Sequence, residues 1–479
     1  MTTAAWALRT TPRPRRTIPL RLASLLAVDT IAVFLAGTVA VLARYALGGR
    51  FDPRLYVHIS GAAAVFLAAY AAAGLYPAII VHPVAELESI FRASTLTVLG
   101  LAALSFFARD AEAYSRLILL GAWILITAFV WLGRVTARLC LGNCGWWREN
   151  AVILGAGPVG RRVAETLRKS PGCGLRPVAV LDDNETELAL ARGGGAMTGP
   201  LSAADLFAEE LGIRYAIIAL PDRGNQELAA VVERHASRFH HVLIIPDLWG
   251  IPSLGVEVRD VGGMLGVKLS HRLLQRTPQT IKRAVDVAAA GALCILLLPL
   301  FFLIAALIRL SSPGPVFFGH RRLGRHGREF LAWKFRTMVP RSDEVLRSHL
   351  QANPDLLCEW ASSRKLKHDP RVTWMGEALR RTSLDELPQL WNVLRGEMSL
   401  VGPRPIVEAE AERYGSKFSL YLKVRPGLTG LWQVSGRNNT TYAERVEFDE
   451  YYVRNWSVWL DLYVLARTIK VVLTGEGAY

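Results

Sequence analysis

The N-terminal part of the chain contains four apolar stretches, each close to the length that crosses a membrane. They cover residues 20–47, 55–76, 87–108 and 117–139. A helix needs about 20 mostly apolar residues to cross the hydrocarbon core of a bilayer, where its backbone hydrogen bonds must be satisfied internally. The sequence therefore predicts a four-helix transmembrane bundle in residues 1–148, with both ends on the same side of the membrane.

Charges around these stretches predict their orientation. Arginines precede the first stretch, and Arg134, Arg138 and Arg148 lie at the end of the fourth or after it; basic residues favour the cytoplasmic side. Four arginines in the intervening loops weaken this bias: Arg50, Arg54, Arg109 and Arg116. Asp29 lies inside the first stretch, where an ionisable group must find a partner. We expect a cytoplasmic N-terminus and a pair between Asp29 and a neighbouring helix.

The whole chain is basic, with 56 Lys and Arg against 41 Asp and Glu and a net charge of +15. Such a charge fits nucleic acid, anionic lipid or phosphorylated substrates. The basic residues are spread among separate motifs and do not form a stripe interleaved with stacking aromatic residues. We therefore expect no nucleic-acid partner and favour phosphates and lipid.

The middle of the chain reads as a strand, a glycine turn and a helix. The apolar residues 151–154 precede Gly155-Ala156-Gly157-Pro158-Val159-Gly160, and a second strand over 177–181 ends in Asp182-Asp183. This order predicts a Rossmann-like α/β accessory domain over residues 149–270. A bound nucleotide stays open, because the glycines could serve the turn alone and Pro158 lacks a backbone N–H.

A further uncharged apolar run covers residues 287–308, with Pro299 in its middle and basic residues on both sides. A spanning helix would put one basic flank outside, against the usual charge bias. A proline in mid-helix kinks the helix and allows entry and return on the same face. We therefore prefer a re-entrant helix over 284–309 to a fifth span, within a C-terminal α/β domain over 271–479.

Two motifs after this run carry candidate phosphate ligands. Lys334 and Arg336 are two apart on a short predicted strand and share one face, so they could grip a diphosphate together; a solvated edge strand is the alternative. Asp369-Pro370-Arg371 reads as a turn that supplies a carboxylate and a guanidinium.

The candidate catalytic residues are the adjacent carboxylates Asp385 and Glu386, which follow Arg380 and Arg381. Arginine forks and a helix N-terminus both bind phosphate oxygens. A carboxylate held beside a bound phosphate is a possible nucleophile, and we expect the helix dipole to keep Asp385 ionised. For Glu386 the alternative is structural, as the partner of Ser383 in a capping box.

The C-terminal domain resembles the bacterial sugar transferase family, the polyprenyl-phosphate phosphoglycosyl transferases, and the whole chain resembles its long form. The motifs that carry the resemblance are Lys282-Arg283 with Asp286, Ser312-Pro313-Gly314-Pro315, Lys334 to Met338, Asp369 to Arg371, Asp385-Glu386, Gly402-Pro403-Arg404-Pro405, and Arg425 to Gly430. Residues 452–463 are most similar to galactose-transferring members.

The resemblance implies a ping-pong reaction at the cytoplasmic face of the bacterial inner membrane. Asp385 would attack the sugar-linked phosphate of a UDP-sugar and release UMP, and undecaprenyl phosphate would then accept the phosphosugar. Mg2+ would lie near Asp385 and Glu386, and Arg380, Arg404 and Arg425 would hold phosphates. The extra domains would be accessory and associated with a homodimer.

Three other interpretations each fit part of the sequence. A membrane-anchored nucleotide-sugar dehydratase would share the four spans and the glycine turn, but the chain has no Tyr-x-x-x-Lys pair for its proton transfer. Glucose in place of galactose stays open, since similarity over residues 452–463 indicates relatedness and not contacts with the sugar. A membrane scaffold or regulator with a nucleotide-sensing middle domain is disfavoured by the intact Asp385-Glu386 pair.

Overall fold

The computed structural model describes residues 17–48, 59–107, 116–192, 195–221, 224–245, 257–261, 264–268, 272–353, 366, 369–435 and 440–474. The chain divides into two units, Met1–Trp249 and Gly250–Tyr479. The first unit holds the N-terminal helices together with a parallel α/β layer. The second unit holds the carboxylate pair.

Four apolar helices begin the first unit: α1 Thr17–Ala46, α2 Ile59–Ala72, α3 Pro83–Phe107 and α4 Arg116–Leu141. Among the described residues, α1, α3 and α4 are long and apolar enough to cross a membrane, whereas the described part of α2 is shorter. Large apolar side chains on α3 point outward, as Leu104 and Phe107 do. Three to four apolar helices thus match the predicted membrane region.

A buried ionic network joins three of these helices. Asp29 on α1 accepts a bidentate pair of hydrogen bonds from Arg134 on α4, at 3.0 and 2.6 Å. Arg134 also donates to Glu86 on α3 at 3.0 Å, and Arg138 donates twice to the same carboxylate. The side chains of Asp29, Glu86 and Arg134 are completely buried. The partner expected for Asp29 is therefore present.

The α/β layer is a five-stranded parallel sheet in the order β3-β2-β1-β4-β5. Its elements are β1 Glu149–Leu154, α5 Pro158–Lys169, β2 Leu175–Leu181, α6 Glu185–Ala191, β3 Met197–Gly199, β4 Tyr215–Ile218, α7 Asn225–Val231 and β5 His241–Ile244. Apolar clusters cover both faces, as buried parallel strands require. The predicted α/β domain with a parallel sheet is confirmed.

The glycine turn of this sheet is closely packed against itself. A Cβ at Gly160 would lie 1.9 Å from the carbonyl oxygen of Gly155, so only glycine fits there. The Asp182 carboxylate, at the end of β2, accepts hydrogen bonds from the backbone N–H of Ala156 at 2.7 Å and of Asn184 at 3.1 Å. Gly160 and Asp182 thus both have a structural role in forming this turn.

The second unit contains the remaining elements. They are β6 Glu257–Val261, β7 Met264–Lys268, α8 Arg276–Leu296, α9 Leu298–Ser311, β8 Phe317–Leu323, β9 Glu329–Phe335, α10 Ser342–Ala352, α11 Trp374–Arg381, α12 Gln389–Arg395, β10 Ser399–Val401, α13 Ala411–Tyr414, α14 Phe418–Tyr421, β11 Gly427–Thr429, α15 Leu431–Ser435, α16 Tyr442–Asn455 and α17 Val458–Thr474. Strands pair as antiparallel hairpins β6-β7 and β8-β9 and as a parallel pair β10-β11.

Helices α8 and α9 form one apolar pair that is broken at Leu297 and bent by 60°. Pro299 is among the first residues of α9, directly after the break. The exposed side chains around the bend are apolar, including Ile295, Leu296 and Phe302. Length and composition fit a bent span as well as a re-entrant loop, so the re-entrant course stays a prediction.

The inner face of α9 anchors the region that carries the carboxylates. Ile304 and Ile308 of α9 pack with Phe335 of β9 and with Met375 and Leu379 of α11 in one buried cluster. Strand β9 carries Lys334, and α11 leads into the turn that holds Asp385. Packing against α9 therefore fixes the two segments from which the site is built.

Candidate active site

Asp385 and Glu386 lie in a single 3-10 turn, Leu384–Glu386, between α11 and α12. The residue before it, Ser383, has a left-handed backbone with φ 57° and makes no side-chain cap. An N-cap serine needs an extended backbone to aim its hydroxyl at the helix. The capping box weighed for Ser383 and Glu386 is therefore wrong, and Glu386 is available for another role.

Lys334 bridges the two carboxylates. Its ammonium nitrogen donates to Glu386 Oε1 at 2.6 Å and lies 3.7 Å from Asp385 Oδ2. The Asp385 residue is 8% exposed, whereas the Glu386 side chain is 35% exposed. The Asp385 carboxylate is thus sheltered from water, whereas the Glu386 carboxylate is partly exposed to it.

The environment of Asp385 opposes its ionisation. Burial raises the pKa of this carboxyl above its ordinary value, and the negative charge of Glu386 adds to the rise, while Lys334 and Arg380 lower it. The direction is opposite to the one expected from the helix dipole alone. The difference arises because desolvation of a carboxylate outweighs the field at the start of a short helix.

Arg322, Arg404 and Arg445 influence one another electrostatically, and of these three Arg322 also interacts with the charge of Glu386. Burial and then the charge of Arg404 lower the pKa of both Arg322 and Arg445, and Glu386 raises that of Arg322. The guanidinium carbons of Arg404 and Arg445 lie 5.4 and 4.2 Å from the centre of the Trp432 ring. Such cation–π contacts hold guanidinium groups in place. Arg322 also lies 3.8 Å from Glu410, so part of this positive charge is paired within the protein.

Of these three, only Arg404 belongs to a motif that predicts a phosphate ligand. Arg322 is one of several basic residues after the apolar run and has no motif of its own. Arg445 lies on α16, and nothing in its local sequence distinguishes it from a surface arginine. Their proximity to Arg404 exists only in the folded chain.

The remaining predicted phosphate ligands are dispersed. The Arg380 Nε donates to the Thr337 hydroxyl at 3.0 Å, and its charge acts on Asp385. Arg381 is exposed. Arg336 donates to the backbone oxygens of Ser312 and Pro313 and to the Ser312 hydroxyl, at 2.7 to 2.9 Å. Arg336 thus fastens the loop that follows α9, and the joint grip of Lys334 and Arg336 on a diphosphate stays a prediction.

Arg425 lies at the other end of α12. Its Nε donates to the carbonyl oxygen of Gly396, which ends α12 with a left-handed backbone. The seven residues of α12 separate this position from the turn of Asp385 by roughly 10 Å at ~1.5 Å per residue. The structure does not place Arg425 with the carboxylate pair.

The adjacent carboxylates of Asp385 and Glu386 suit Mg2+ if substrate phosphates and waters complete its coordination. No cluster of three His, Cys, Asp or Glu side chains that could hold a metal occurs in the part of the chain that the structure describes. Mg2+ usually keeps several waters and binds one or two carboxylates together with substrate phosphates. Asp385 and Glu386 fit that requirement, with Lys334 as the internal cation that such an ion would displace or accompany.

Comparison with known proteins identifies the class to which this site belongs. Residues 277–475 match the family described as bacterial sugar transferase, and residues 71–246 match one described as CoA-binding domain. The chain is 37% identical over 82% of both chains to the UDP-galactose-lipid carrier transferase of Erwinia amylovora. It is 34% identical, again over 82% of both, to the undecaprenyl-phosphate galactose phosphotransferase of Salmonella typhimurium.

A third relative differs in its sugar. The UDP-glucose:undecaprenyl-phosphate glucose-1-phosphate transferase of Escherichia coli is 32% identical over 83% of this chain and 84% of its own. These matches define a transferase of the membrane type that the sequence predicted. The chain belongs to the bacterial sugar transferase family, and the prediction that it is an enzyme of this family is confirmed.

Proposed function

We propose that this enzyme transfers a hexose-1-phosphate from a UDP-sugar to undecaprenyl phosphate, giving undecaprenyl-diphosphate-sugar and UMP. The observation that carries the proposal is the site itself. Asp385 and Glu386 share one turn, Lys334 bridges them, and the charges of Arg380 and Arg322 act on Asp385 and Glu386 respectively. The positive excess suits a diphosphate, and relatives along most of the chain are named for this reaction.

In the first half-reaction a carboxylate oxygen of Asp385 attacks the phosphorus that bears the sugar. The P–O bond to the bridging oxygen breaks, and that oxygen leaves with UMP. Asp385 is the better nucleophile of the pair because it is sheltered from water. The ammonium of Lys334 favours its ionised form, and the arginines stabilise charge on the phosphate oxygens.

In the second half-reaction a phosphate oxygen of undecaprenyl phosphate attacks the same phosphorus. The bond between phosphorus and Asp385 breaks, which restores the carboxylate and leaves the phosphosugar on the lipid. Glu386 is partly exposed beside Asp385. It orients or deprotonates the incoming undecaprenyl phosphate. Mg2+ held by both carboxylates would offset charge on the substrate phosphates.

The broken helix pair α8-α9 supports a membrane-surface location for this chemistry. Its bend exposes apolar side chains, and α9 packs directly on β9 and α11, which lead to the site. A re-entrant course would hold the carboxylates at the depth of the acceptor phosphate. We place the enzyme in the bacterial inner membrane with this site on the cytoplasmic face, as a homodimer.

The sugar is proposed to be galactose, with glucose as the alternative, and the reaction to be the first membrane step of a surface polysaccharide. Two of the three relatives above are named for galactose and one for glucose. The chain is also 50% identical over 48% of its length to an exopolysaccharide production protein of Rhizobium meliloti. The enclosing process would then be exopolysaccharide, O-antigen or capsule synthesis.

The proposal is tested by UMP release from the purified full-length protein with Mg2+, undecaprenyl phosphate, and UDP-galactose or UDP-glucose in separate reactions. Release with one sugar and not the other names the substrate. The matched control is Glu408→Gln, which removes an exposed carboxylate outside the site and should leave the rate unchanged. No UMP release with any UDP-sugar, by folded protein, would contradict the proposal.

A further inference from the structure

A second basic cavity lies in the same unit, at the C-terminal end of α12. It is a small open cleft, and its lining includes Gln279, Lys282 and Asp286 of α8 together with Arg325, Lys423 and Arg425. Asp385, Glu386 and Lys334 do not line it. The cleft is separated from the carboxylate pair by the length of α12 and is therefore a different site.

The acidic partners of this cleft are already engaged. Asp286 accepts hydrogen bonds from the Ser399 hydroxyl at 2.7 Å and from the Leu400 N–H at 3.2 Å. Lys282 is paired with Asp461 at 2.6 Å. Across the residues for which the structure gives contacts, no carboxylate lies within ion-pair distance of Arg325, Lys423 or Arg425. The cleft thus carries an excess of positive charge.

The arginines also keep hydrogen-bonding capacity for a ligand. Arg325 donates one Nη2 hydrogen bond to Gln279 at 3.0 Å, and its buried Nε has no hydrogen-bond partner. Arg425 uses its Nε on the Gly396 carbonyl, which leaves the two terminal nitrogens of its fork. Burial, and then the charges of Arg325 and Arg283, lower the pKa of Arg425. Like charges held this close are costly unless an anion joins them.

A structural role explains part of the cluster but not all of it. Arg283 binds the carbonyl oxygens of Val393 and Leu394, and Arg425 binds that of Gly396, so both cap the end of α12. Arg325 and Lys423 have no part in that cap. Lys423 is exposed at the rim, where it adds charge without adding to the packing.

We propose that this cleft is a second anion site, which binds one phosphate group through Arg325, Lys423 and Arg425. Guanidinium forks and ammonium groups are the side chains that recognise phosphate oxygens. Two sources offer this chemistry: the headgroup of an anionic phospholipid, and a soluble phosphate. One wall of the cleft is the beginning of α8, which leads into the apolar broken helix pair, so a lipid headgroup is within reach of it.

The test uses the full-length protein in two arms, each with Arg325→Gln/Lys423→Gln compared against Arg328→Gln, an exposed arginine of the same loop that does not line the cleft. The first arm titrates inorganic phosphate into protein in phosphatidylcholine nanodiscs and follows the midpoint of thermal unfolding. The second measures phosphatidylglycerol retained by the protein in native mass spectrometry. Neither arm requires turnover, and Asp385→Asn should bind as the wild type does.

The proposal is supported by a saturable response in either arm for the wild type and for Arg328→Gln. In the double variant this response should be weakened at least about tenfold. The arm that responds identifies the source of the phosphate group. Equal binding by the double variant and the wild type, or no binding in both arms, overturns the proposal. Lys423→Gln alone, on an exposed side chain, provides the comparison if the double variant does not fold. Because the readout is binding, its failure is distinct from failure of the proposed transferase reaction.

Discussion

A cluster of carboxylates and basic side chains in each of the two units differs from the other in balance and exposure. In the helices of the first unit, Asp29 and Glu86 face Arg134 and Arg138, and the acids and bases are equal in number. In the second unit, Asp385 and Glu386 contact Lys334 and lie under the influence of Arg380 and Arg322, and Glu386 is partly exposed. The first cluster is closed; the second opens to solvent.

The difference separates a structural role from a chemical one. A buried charge cluster is tolerated when every charge has a hydrogen-bonded partner, and the first cluster meets that condition within the protein. In the second cluster Lys334 pairs with Glu386 and Arg322 lies 3.8 Å from Glu410, but Lys334 and Glu386 stay partly exposed to solvent. A closed, neutral cluster therefore fixes helices against one another, whereas an open cluster leaves its charges accessible to a phosphorylated substrate.

The largest effect is expected for Asp385→Asn. The amide has the same shape but cannot attack phosphorus, so UMP release should fall by at least about 10³-fold, while the unfolding midpoint stays close to that of the wild type. Glu386→Gln should retain a measurable residue of activity, because it keeps the nucleophile. Turnover by Asp385→Asn close to the wild-type rate would remove Asp385 from its role.

The next effect is on stability and lies in the closed cluster. Arg134→Ala leaves Asp29 buried without its partner, and breaking a buried pair from one side costs about 3–5 kcal/mol. The measurement is the free energy of unfolding in mixed micelles. Arg92→Ala removes the exposed partner of Glu88 and is the matched control, with little expected change. Equal losses from the two variants would contradict the comparison.

A smaller effect is expected for the arginines beside Trp432. Arg445→Gln removes one charge-assisted contact to the substrate phosphates, and UMP release at low UDP-sugar concentration should fall about 10- to 100-fold. Arg328→Gln, on an exposed side chain outside the predicted site, should change it less than about twofold. A kcat/KM for Arg445→Gln equal to that of Arg328→Gln would show that Arg445 only packs against the ring.

The smallest expected effect is a shift in pH dependence. Asp385 must be ionised to react, so kcat/KM should fall as pH drops through its pKa, which burial raises above that of an ordinary carboxyl. Glu386 contributes to that rise, and Glu386→Gln should therefore move the acidic limb of the profile to lower pH. A limb that moves to higher pH in Glu386→Gln would contradict this electrostatic account.

Local sequence patterns predicted the elements of the fold well. The pairing of Asp29 followed from the cost of a lone carboxylate in an apolar helix, and the parallel sheet followed from the glycine turn after the strand 151–154. The carboxylates Asp385 and Glu386 were recognisable because they are adjacent and follow two arginines. Each of these inferences depends on neighbours in the sequence.

Contacts between distant segments could not be predicted in the same way. Arg336 was expected to act with Lys334, but the carbonyls of the loop after α9 occupy its donors. Arg425 belongs to a phosphate-binding motif in the resemblance, yet it caps the far end of α12. Arg445 comes close to Arg404 only because α16 brings it over Trp432, where Arg404 also packs. Tertiary packing decides such roles, and the sequence gives them no local signal.

The covalent role of Asp385 can be tested by mass spectrometry of the full-length enzyme. The enzyme is incubated with Mg2+ and UDP-galactose or UDP-glucose, without undecaprenyl phosphate. The account predicts one added hexose phosphate, located on the peptide that contains Asp385, together with one equivalent of UMP. The adduct should disappear when undecaprenyl phosphate is added, and Asp385→Asn should form none. Turnover in the complete reaction with no adduct in its absence, or the same adduct on Asp385→Asn, would contradict the account.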